Sequence, residues 1–139
     1  MALTFSAQVK AFAELSRKKV ELIVKQSAQD VFDLATTTQP GVEATGGSFQ
    51  IGKVPVDLGD LINSFRIGLN GTQGGDRGAV ALTIAGMELG DSVTGVFTSD
   101  HALPVEYGTA NMAGRFFVLT AAQQWQAIVA ANAAKARAI

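Results

Sequence analysis

The chain has 139 residues, no cysteine, a single histidine and a formal net charge of −1. The lack of cysteine excludes disulfide scaffolds, thiolate zinc sites, iron–sulfur clusters and cysteine catalysis, and one histidine argues against histidine-based metal centres. Only 17% of the residues are charged, against roughly 25% in an average domain. This indicates a surface that is partly covered by other subunits or partners. The length predicts a single domain over residues 1–139.

The few charges are unevenly distributed along the chain. Residues 1–29 carry a net charge of +3, residues 30–106 carry −7 from ten acidic and three basic side chains, and the remainder carries +3. The first residues lack an apolar signal core, and no stretch approaches about 18 uninterrupted apolar residues. We therefore expect a protein that is made and used in a cytoplasm, without a membrane segment.

The N-terminal segment has the pattern of one long amphipathic helix. Apolar residues recur at steps of three and four from Val9 onwards, which predicts a helix over residues 7–35 with Ser6 as its N-cap. Such a helix is about 43 Å long, whereas a globule of this size is about 37 Å across. Either the helix bends around the core or one of its ends packs on a neighbour.

The middle of the chain predicts a small antiparallel sheet. A turn and a short helical piece over residues 57–64 precede three alternating segments, near residues 65–69, 80–84 and 93–98, that predict strands. The segments 39–56 and 99–118 are rich in Gly, Ala and Thr and are predicted to be long loops, either flexible or ordered by a partner.

The C-terminal segment predicts a last helix, capped by Thr120, with an Ala-rich stripe that permits close packing. The expected fold class is therefore α+β. It comprises a long N-terminal helix, an antiparallel β-meander of about three to four strands, a C-terminal helix packed on the sheet, and two long loops.

Residue types that support catalysis are present, but not in catalytic patterns. Ser99, Asp100 and His101 are adjacent in sequence, whereas a catalytic triad converges from separate parts of a fold. The glycine-rich segment 71–75 lacks the Lys-Ser/Thr of a phosphate-binding loop. The aspartate pairs 57/60 and 30/33 lack calcium-loop spacing. We predict no enzyme, no cofactor and no metal site.

Two segments resemble a known family. Residues 54–64, VPVDLGDLINS, are similar to the "P-V-D-x-G-x-L-x-x-S" segment of phage head–tail joining proteins, also called tail-completion or neck proteins, of long-tailed phages and prophages. Residues 102–109, ALPVEYGT, resemble that family's "Y-A-x-Y-V-E-[FY]-G-T", and residues 112–117, MAGRFF, resemble "M-x-A-R-P-F". Gly114 and Phe116 stand where the family has Ala and Pro. The order and spacing match, and the resemblance covers nearly the whole chain.

The motif residues are expected to build the fold or an interface. Pro55 stiffens an extended approach, Asp57 caps backbone amides and Gly59 permits a tight turn. Leu61 is expected in the core, and Ser64 at the start of a strand. Glu106 and Arg115 are expected to pair with each other or across a subunit boundary, and interface roles are favoured for these two and Tyr107. The remaining fold or interface candidates are Gly108, Thr109 and Phe117.

The resemblance implies a structural protein of the virion neck. Its expected partners are further copies of itself in a hexameric ring, a head-completion (stopper) protein, and a tail-terminator or tail-tube protein. DNA would pass through the lumen without sequence-specific binding, and we hypothesise that the acidic central segment, with Asp57, Asp60 and Asp91, faces it.

Other functions stay open at the level of the sequence. A tail-terminator ring, which ends growth of the tail tube, is a closely similar kind of α+β protein. A cytoplasmic binding module that docks through its N-terminal helix is the alternative from another class. An enzyme using Asp57 and Asp60 is the least favoured reading of the sequence.

Overall fold

A computed structural model describes residues 4–41, 49–56, 59–110 and 112–137. Its helices are α1 (Phe5–Ala35), α2 (Asp60–Asn63), α3 (Val80–Ala85), α4 (Ala102–Tyr107), α5 (Phe117–Gln123) and α6 (Trp125–Arg137), and a single 3₁₀ turn, Arg77–Ala79, precedes α3. Its strands are β1 (Thr38–Pro40), β2 (Val54–Val56), β3 (Phe65–Leu69), β4 (Val93–Phe97), β5 (Gly108–Thr109) and β6 (Met112–Ala113). The α+β class with a long N-terminal helix is confirmed. No helix of the described ranges is both long and apolar enough to cross a bilayer.

The predicted N-terminal helix is confirmed as one unbroken element of 31 residues. Its N-cap is Thr4, two residues before the expected Ser6, and the Thr4 hydroxyl accepts a hydrogen bond from the amide of Ala7 at 3.1 Å. At the other end, the hydroxyl of Thr36 donates to the carbonyl of Phe32 at 2.8 Å. Side-chain oxygens therefore satisfy backbone groups at both ends of α1.

The sheets are small and separate. Strands β3 and β4 form an antiparallel pair from Phe65 opposite Phe97 to Leu69 opposite Val93, while β1 and β2 pair in parallel and β5 and β6 form a two-residue hairpin. The buried amide of Gln39, on β1, orders the chain before β2. It donates to the carbonyls of Gln50 and Lys53 at 2.7 and 2.8 Å. The prediction of one long loop over residues 39–56 is therefore wrong at both ends, which lie in β1 and β2.

The strand predicted at residues 80–84 is wrong, because this segment is α3. Val80, Leu82 and Ile84 alternate as in a strand, but Val80 and Ile84 are also four residues apart, which fits one face of a helix equally well. Val80 and Ile84 are buried while Leu82 is 79% exposed. Tertiary burial therefore follows the helical spacing, and the expected meander lacks its middle strand.

Three further expectations need correction near the C-terminus. The segment 99–118 is not one long loop, since it contains α4, β5 and β6. Thr120 does not cap the last helix, because it lies inside α5, and the chain turns at Gln124 before α6 begins. In addition, α6 packs mainly along α1 rather than on the sheet. Ser27 on α1, which contacts Asn132 of α6, and Ala136 on α6 are small and buried, which allows these two helices to approach closely.

The described residues form two buried apolar clusters, and the half-buried Phe97 packs against both. The first contains Ala28, Phe65, Ile67, Val80 and Ile84, and the second contains Val54, Leu61, Ile62 and Phe117. The ring centroid of Phe97 lies 5.2 Å from that of Phe65 and 5.0 Å from that of Phe117. Tilted and edge-on aromatic pairs of this kind add to the stabilisation that area burial gives.

A polar network joins α1 and α6. The buried amide of Asn132 donates to the hydroxyl of Ser27 at 3.1 Å and to the carboxylate of Asp30 at 2.9 Å. Gln26 donates to the other oxygen of the same carboxylate at 2.9 Å. These hydrogen bonds from Asn132 and Gln26 lower the pKa of Asp30 below its ordinary value.

The lowered pKa of Asp30 predicts an acid-sensitive contribution to stability. The unfolded chain binds this proton at higher pH than the folded chain, so the contribution is present above about pH 4 and is lost as pH falls through the folded pKa. We expect Asp30→Asn to reduce the loss of stability between about pH 4 and pH 2. Urea unfolding at several pH values measures this, with Asp33→Asn as the control, and equal acid dependence in both variants would contradict it.

Candidate functional site

The two segments that carry the family resemblance meet in the fold. A cavity of about 330 Å³ lies between them. Its lining includes Pro55, Gly59 and Leu61 from the first segment and Pro104, Val105 and Met112 from the second. Residues about fifty positions apart therefore form one structural unit.

The first segment positions its residues largely as expected. Pro55 lies in β2, opposite Gln39. Gly59 has φ +81° at the start of α2, a left-handed conformation that favours glycine, and Leu61 is buried. Ser64 directly precedes β3, and its hydroxyl donates to the carbonyl of Leu61 at 2.7 Å. The predicted capping role of Asp57 lies outside the described residues.

Glu106, which lies on α4, caps the N-terminus of another helix, α5. Its buried carboxylate accepts hydrogen bonds from the amides of Val118 at 3.0 Å and Leu119 at 2.8 Å, in the first turn of α5. These amides have no partner inside their own helix, and a negative charge at a helix N-terminus is favourable. Glu106 thus fixes α4 to α5.

Some of the residues after Glu106 are exposed to solvent, and others are closely packed against backbone. Tyr107 is 66% exposed, and Thr109 is exposed as well. Gly108 has φ +87°, and a Cβ at this position would lie 2.7 Å from the amide nitrogen of Gly114. A Cβ at Gly114 would in turn lie 2.7 Å from the carbonyl of Glu106. The hairpin of β5 and β6 therefore needs glycine at both positions.

Arg115 is buried without a carboxylate partner in the described part of the chain. Only 2% of its surface is exposed, one guanidinium nitrogen donates to the carbonyl of Ala113, and Nε has no hydrogen-bond partner. Its guanidinium carbon lies 3.8 Å from the centroid of the Phe49 ring, a cation–π contact. Its own carbonyl accepts from the amide of Gly52 at 2.7 Å. Arg115 therefore holds residues 49–52 against the second segment.

The expected ion pair between Glu106 and Arg115 is wrong within one chain. Both side chains are described, and no bridge joins them. The reason is that both side chains form hydrogen bonds with backbone groups. The Glu106 carboxylate accepts from amides of α5, and the Arg115 guanidinium donates to the carbonyl of Ala113. Both side chains are buried within this chain.

The departure from the family pattern at Phe116 has a structural consequence. Phe116 has φ 50° and ψ 41°, and its amide donates to the carbonyl of Glu106 at 3.1 Å. Proline, which the family has here, is locked near φ −65° and has no amide hydrogen. The entry into α5 is therefore one that proline cannot adopt. Phe117, the last residue of the motif, is buried in the core.

We expect Phe116→Pro to lower the free energy of unfolding by about 3 kcal/mol, because it removes a hydrogen bond and forces φ out of the left-handed region. Phe116→Gly is the matched control, since it loses the same half-buried ring but keeps the amide hydrogen and adopts this φ freely, so it should be clearly more stable than Phe116→Pro. Urea unfolding measures both. Equal stability of the two variants would show that the chain takes the proline-compatible geometry.

An apolar groove that the sequence did not reveal lies beside the second segment. It has a volume of about 680 Å³ and runs between the C-terminal end of α1, β4, α4 and α5. Its floor includes Phe32 and Phe97, and its exposed rim includes Leu103, Tyr107 and Val118. The charged residues in its lining, Asp100 and Glu106, are both acidic. We call this feature the α4–α5 groove.

The N-terminal half of α1 presents a second apolar surface. Phe5, Val9 and Phe12 lie on one face, at steps of four and three, and are 81%, 50% and 71% exposed. We call these three residues the α1 stripe. The periodicity predicted an amphipathic helix, but a sequence pattern does not reveal that the N-terminal half of α1 extends beyond the core of the chain.

Within the described ranges, no group of three or more His, Asp or Glu side chains is placed to hold a metal ion. We find no protein-family model, no curated protein and no solved structure that matches this chain. Three features of the fold therefore bear on function: the unit formed by residues 54–64 and 102–117, the α4–α5 groove and the α1 stripe.

Proposed function

We propose that this protein is a structural subunit of a ring at the head–tail junction of a long-tailed phage or prophage, acting in tail completion. The observation that carries the proposal is the α1 stripe, in which two phenylalanines are more than two-thirds exposed. An apolar helix face of this kind is typical of a subunit that is buried on assembly. The resemblance of residues 54–64 and 102–117 to neck proteins specifies which assembly.

The roles of the motif residues support an architectural function. Glu106 caps a helix, Gly108 permits a tight hairpin and Arg115 holds a neighbouring segment. Each role is one of packing or backbone hydrogen bonding. The motif therefore supplies a rigid support for the exposed Tyr107 and for the α4–α5 groove, which are suited to contacting other neck or tail proteins.

The acidic central segment fits a lumen through which DNA slides. Asp60 is exposed, and hydrogen bonds from the amide of Glu88 and the side chain of Asn70 lower the pKa of Asp91, so that it stays ionised. Repulsion of phosphate would keep DNA from adhering to such a wall. Reversing the charges of Asp57, Asp60 and Asp91 together should slow DNA delivery into the host. Unchanged delivery would contradict the lumen assignment and leave the ring proposal standing.

Electron microscopy of a lysate from a phage that lacks this chain tests the proposed function. Full heads beside separate tails of normal length are the result expected for a joining protein. Overlong tails would instead show a tail terminator, and normal particles would exclude both roles. Complementation with the parent chain is the control, and normal particles with a monomeric protein would favour the cytoplasmic binding module.

A further inference from the structure

We propose that the α1 stripe of one subunit docks into the α4–α5 groove of a second copy of this chain. This contact would join the subunits of the proposed ring, and the inference that the contacts close into a ring rests on the proposed function. Four properties of the described residues favour the contact: the spacing of the stripe, the shape of the groove, the distance between them and their charges.

The spacing of the stripe is that of a helix that binds in a groove. Phe5, Val9 and Phe12 stand at positions i, i+4 and i+7, which places all three side chains along one side of α1 over about 10 Å. Anchors at these positions are typical of an amphipathic helix laid into an apolar groove. Large aromatic anchors supply most of the contact area in such complexes.

The groove has the corresponding apolar surface. Phe32, Phe65, Phe97 and Phe117 line it from below, and Leu103 is 70% exposed at its rim. A volume of about 680 Å³ accommodates several large side chains, so the three anchors of the stripe can enter together. Part of the rim, Tyr107 and Val118, is also apolar and exposed.

The stripe cannot reach the groove of its own chain. The groove begins at Val31 and Phe32, near the C-terminal end of α1. Phe5 lies 26 residues before Val31 on the same unbroken helix, a separation of about 39 Å along the axis. Because the helix is continuous, only the groove of another molecule is available to the stripe.

The charges around the two surfaces are complementary. Around the stripe, Lys10, Arg17, Lys18 and Lys19 outnumber the single acidic residue Glu14, a net charge of +3 over residues 5–19. The charged residues lining the groove, Asp100 and Glu106, are acidic, and Asp30 and Asp33 lie on the adjoining part of α1. Opposite charges favour the encounter of these two surfaces and disfavour stripe-to-stripe pairing, which would bring two basic surfaces together.

This contact is head-to-tail. The stripe and the groove are different surfaces of the chain, so each subunit offers one of each, and such contacts close into a ring or continue as a filament. A stripe with two phenylalanines buries a modest area, and a single contact of that size is expected to be weak. Assembly in solution is therefore expected at high protein concentration.

Mixing two matched variants of the full chain tests the direction of the contact. Phe12→Glu damages the stripe and Leu103→Glu damages the groove, and both residues are at least 70% exposed, so both variants should fold. We expect the parent to form oligomers at about 1 mM in sedimentation equilibrium, and each variant alone to associate at least about 30-fold more weakly. A mixture should form dimers and nothing larger, because it contains one intact stripe–groove pair.

The controls place the same change on other exposed positions. Ala11→Glu adds a carboxylate to α1 about 100° around the helix from Phe12, and Leu82→Glu replaces an exposed leucine outside the groove. Both should assemble like the parent. Loss of assembly in either control to the same extent as in the test variants would overturn the proposal.

Because the chain has no cysteine, single cysteines provide a second measurement. A short bismaleimide should join Phe12→Cys to Leu103→Cys in a mixture and should not join either variant to itself. Self-linking of Phe12→Cys would show a symmetric stripe-to-stripe dimer and overturn the proposal. Assembly that survives both glutamate variants, or a parent that stays monomeric at about 1 mM, would overturn it too. The proposed neck function would then still be decided separately by the lysate microscopy.

Discussion

Phe65→Ala is expected to lower the free energy of unfolding by about 3–5 kcal/mol, whereas Phe12→Ala should leave it within about 0.5 kcal/mol. Phe65 is 1% exposed, and its ring lies against those of Phe32 and Phe97, with centroid distances of 6.1 and 5.2 Å. Truncation removes these contacts and leaves a cavity in the first core cluster. Phe12 is 71% exposed and loses little on truncation in the monomer.

Urea unfolding at low protein concentration, where oligomers are absent, measures this difference. The two variants make the same chemical change in one chain, so the comparison isolates the effect of burial. A large destabilisation by Phe12→Ala would mean that the N-terminal half of α1 folds back onto its own core. That result would also remove the basis of the proposed docking between copies.

Glu106→Ala is expected to lower the free energy of unfolding by about 3–4 kcal/mol. The change leaves the partly buried amides of Val118 and Leu119 without their acceptor, and hydrogen bonds to a charged group contribute about 1.5–3 kcal/mol each. Glu106→Gln should cost about half as much, because its amide oxygen can still accept from one of the two. Thermal and urea unfolding of both variants measure the order.

The neighbouring Tyr107 provides the matched control for Glu106. Tyr107→Ala removes an exposed side chain at the rim of the groove and should leave the stability of the monomer almost unchanged. Equal destabilisation by Tyr107→Ala and Glu106→Ala would contradict the prediction that helix capping makes Glu106 the more important residue for stability. Of these two adjacent residues, Glu106 is therefore expected to act in folding and Tyr107 in contacts with other subunits.

Several features were predictable because their causes are local. The long helix follows from apolar residues at steps of three and four, and its end follows from the threonine-rich run after Ala35, whereas its N-cap is Thr4 and not the predicted Ser6. The left-handed turn at Gly59, directly before α2, follows from the freedom of glycine. Leu61 was predicted in the core, and it is buried there. Each of these depends on residues close together in the chain.

Other features depend on contacts between distant segments. Val80 and Ile84 fit a strand or a helix equally well, and only their burial against Ala28 and Phe65 selects α3. The carboxylate of Glu106 was predicted to meet Arg115, but the start of α5, twelve residues on, lies within its reach. The approach of α4 to α5 that creates the groove likewise has no signature in a sequence pattern.

By itself, then, the sequence determined the α+β class, the long helix and the glycine turn at Gly59, because sterics and hydrogen bonds within a few residues fix them. Only the tertiary structure decided which apolar residues are buried. The apolar periodicity of α1 is one continuous pattern from Val9 to Ala35, yet its second half packs on the core while Val9 and Phe12 stay exposed. The low content of charge indicated a covered surface, and the fold shows where an apolar surface is left to cover: at the end of a helix that extends past its own core.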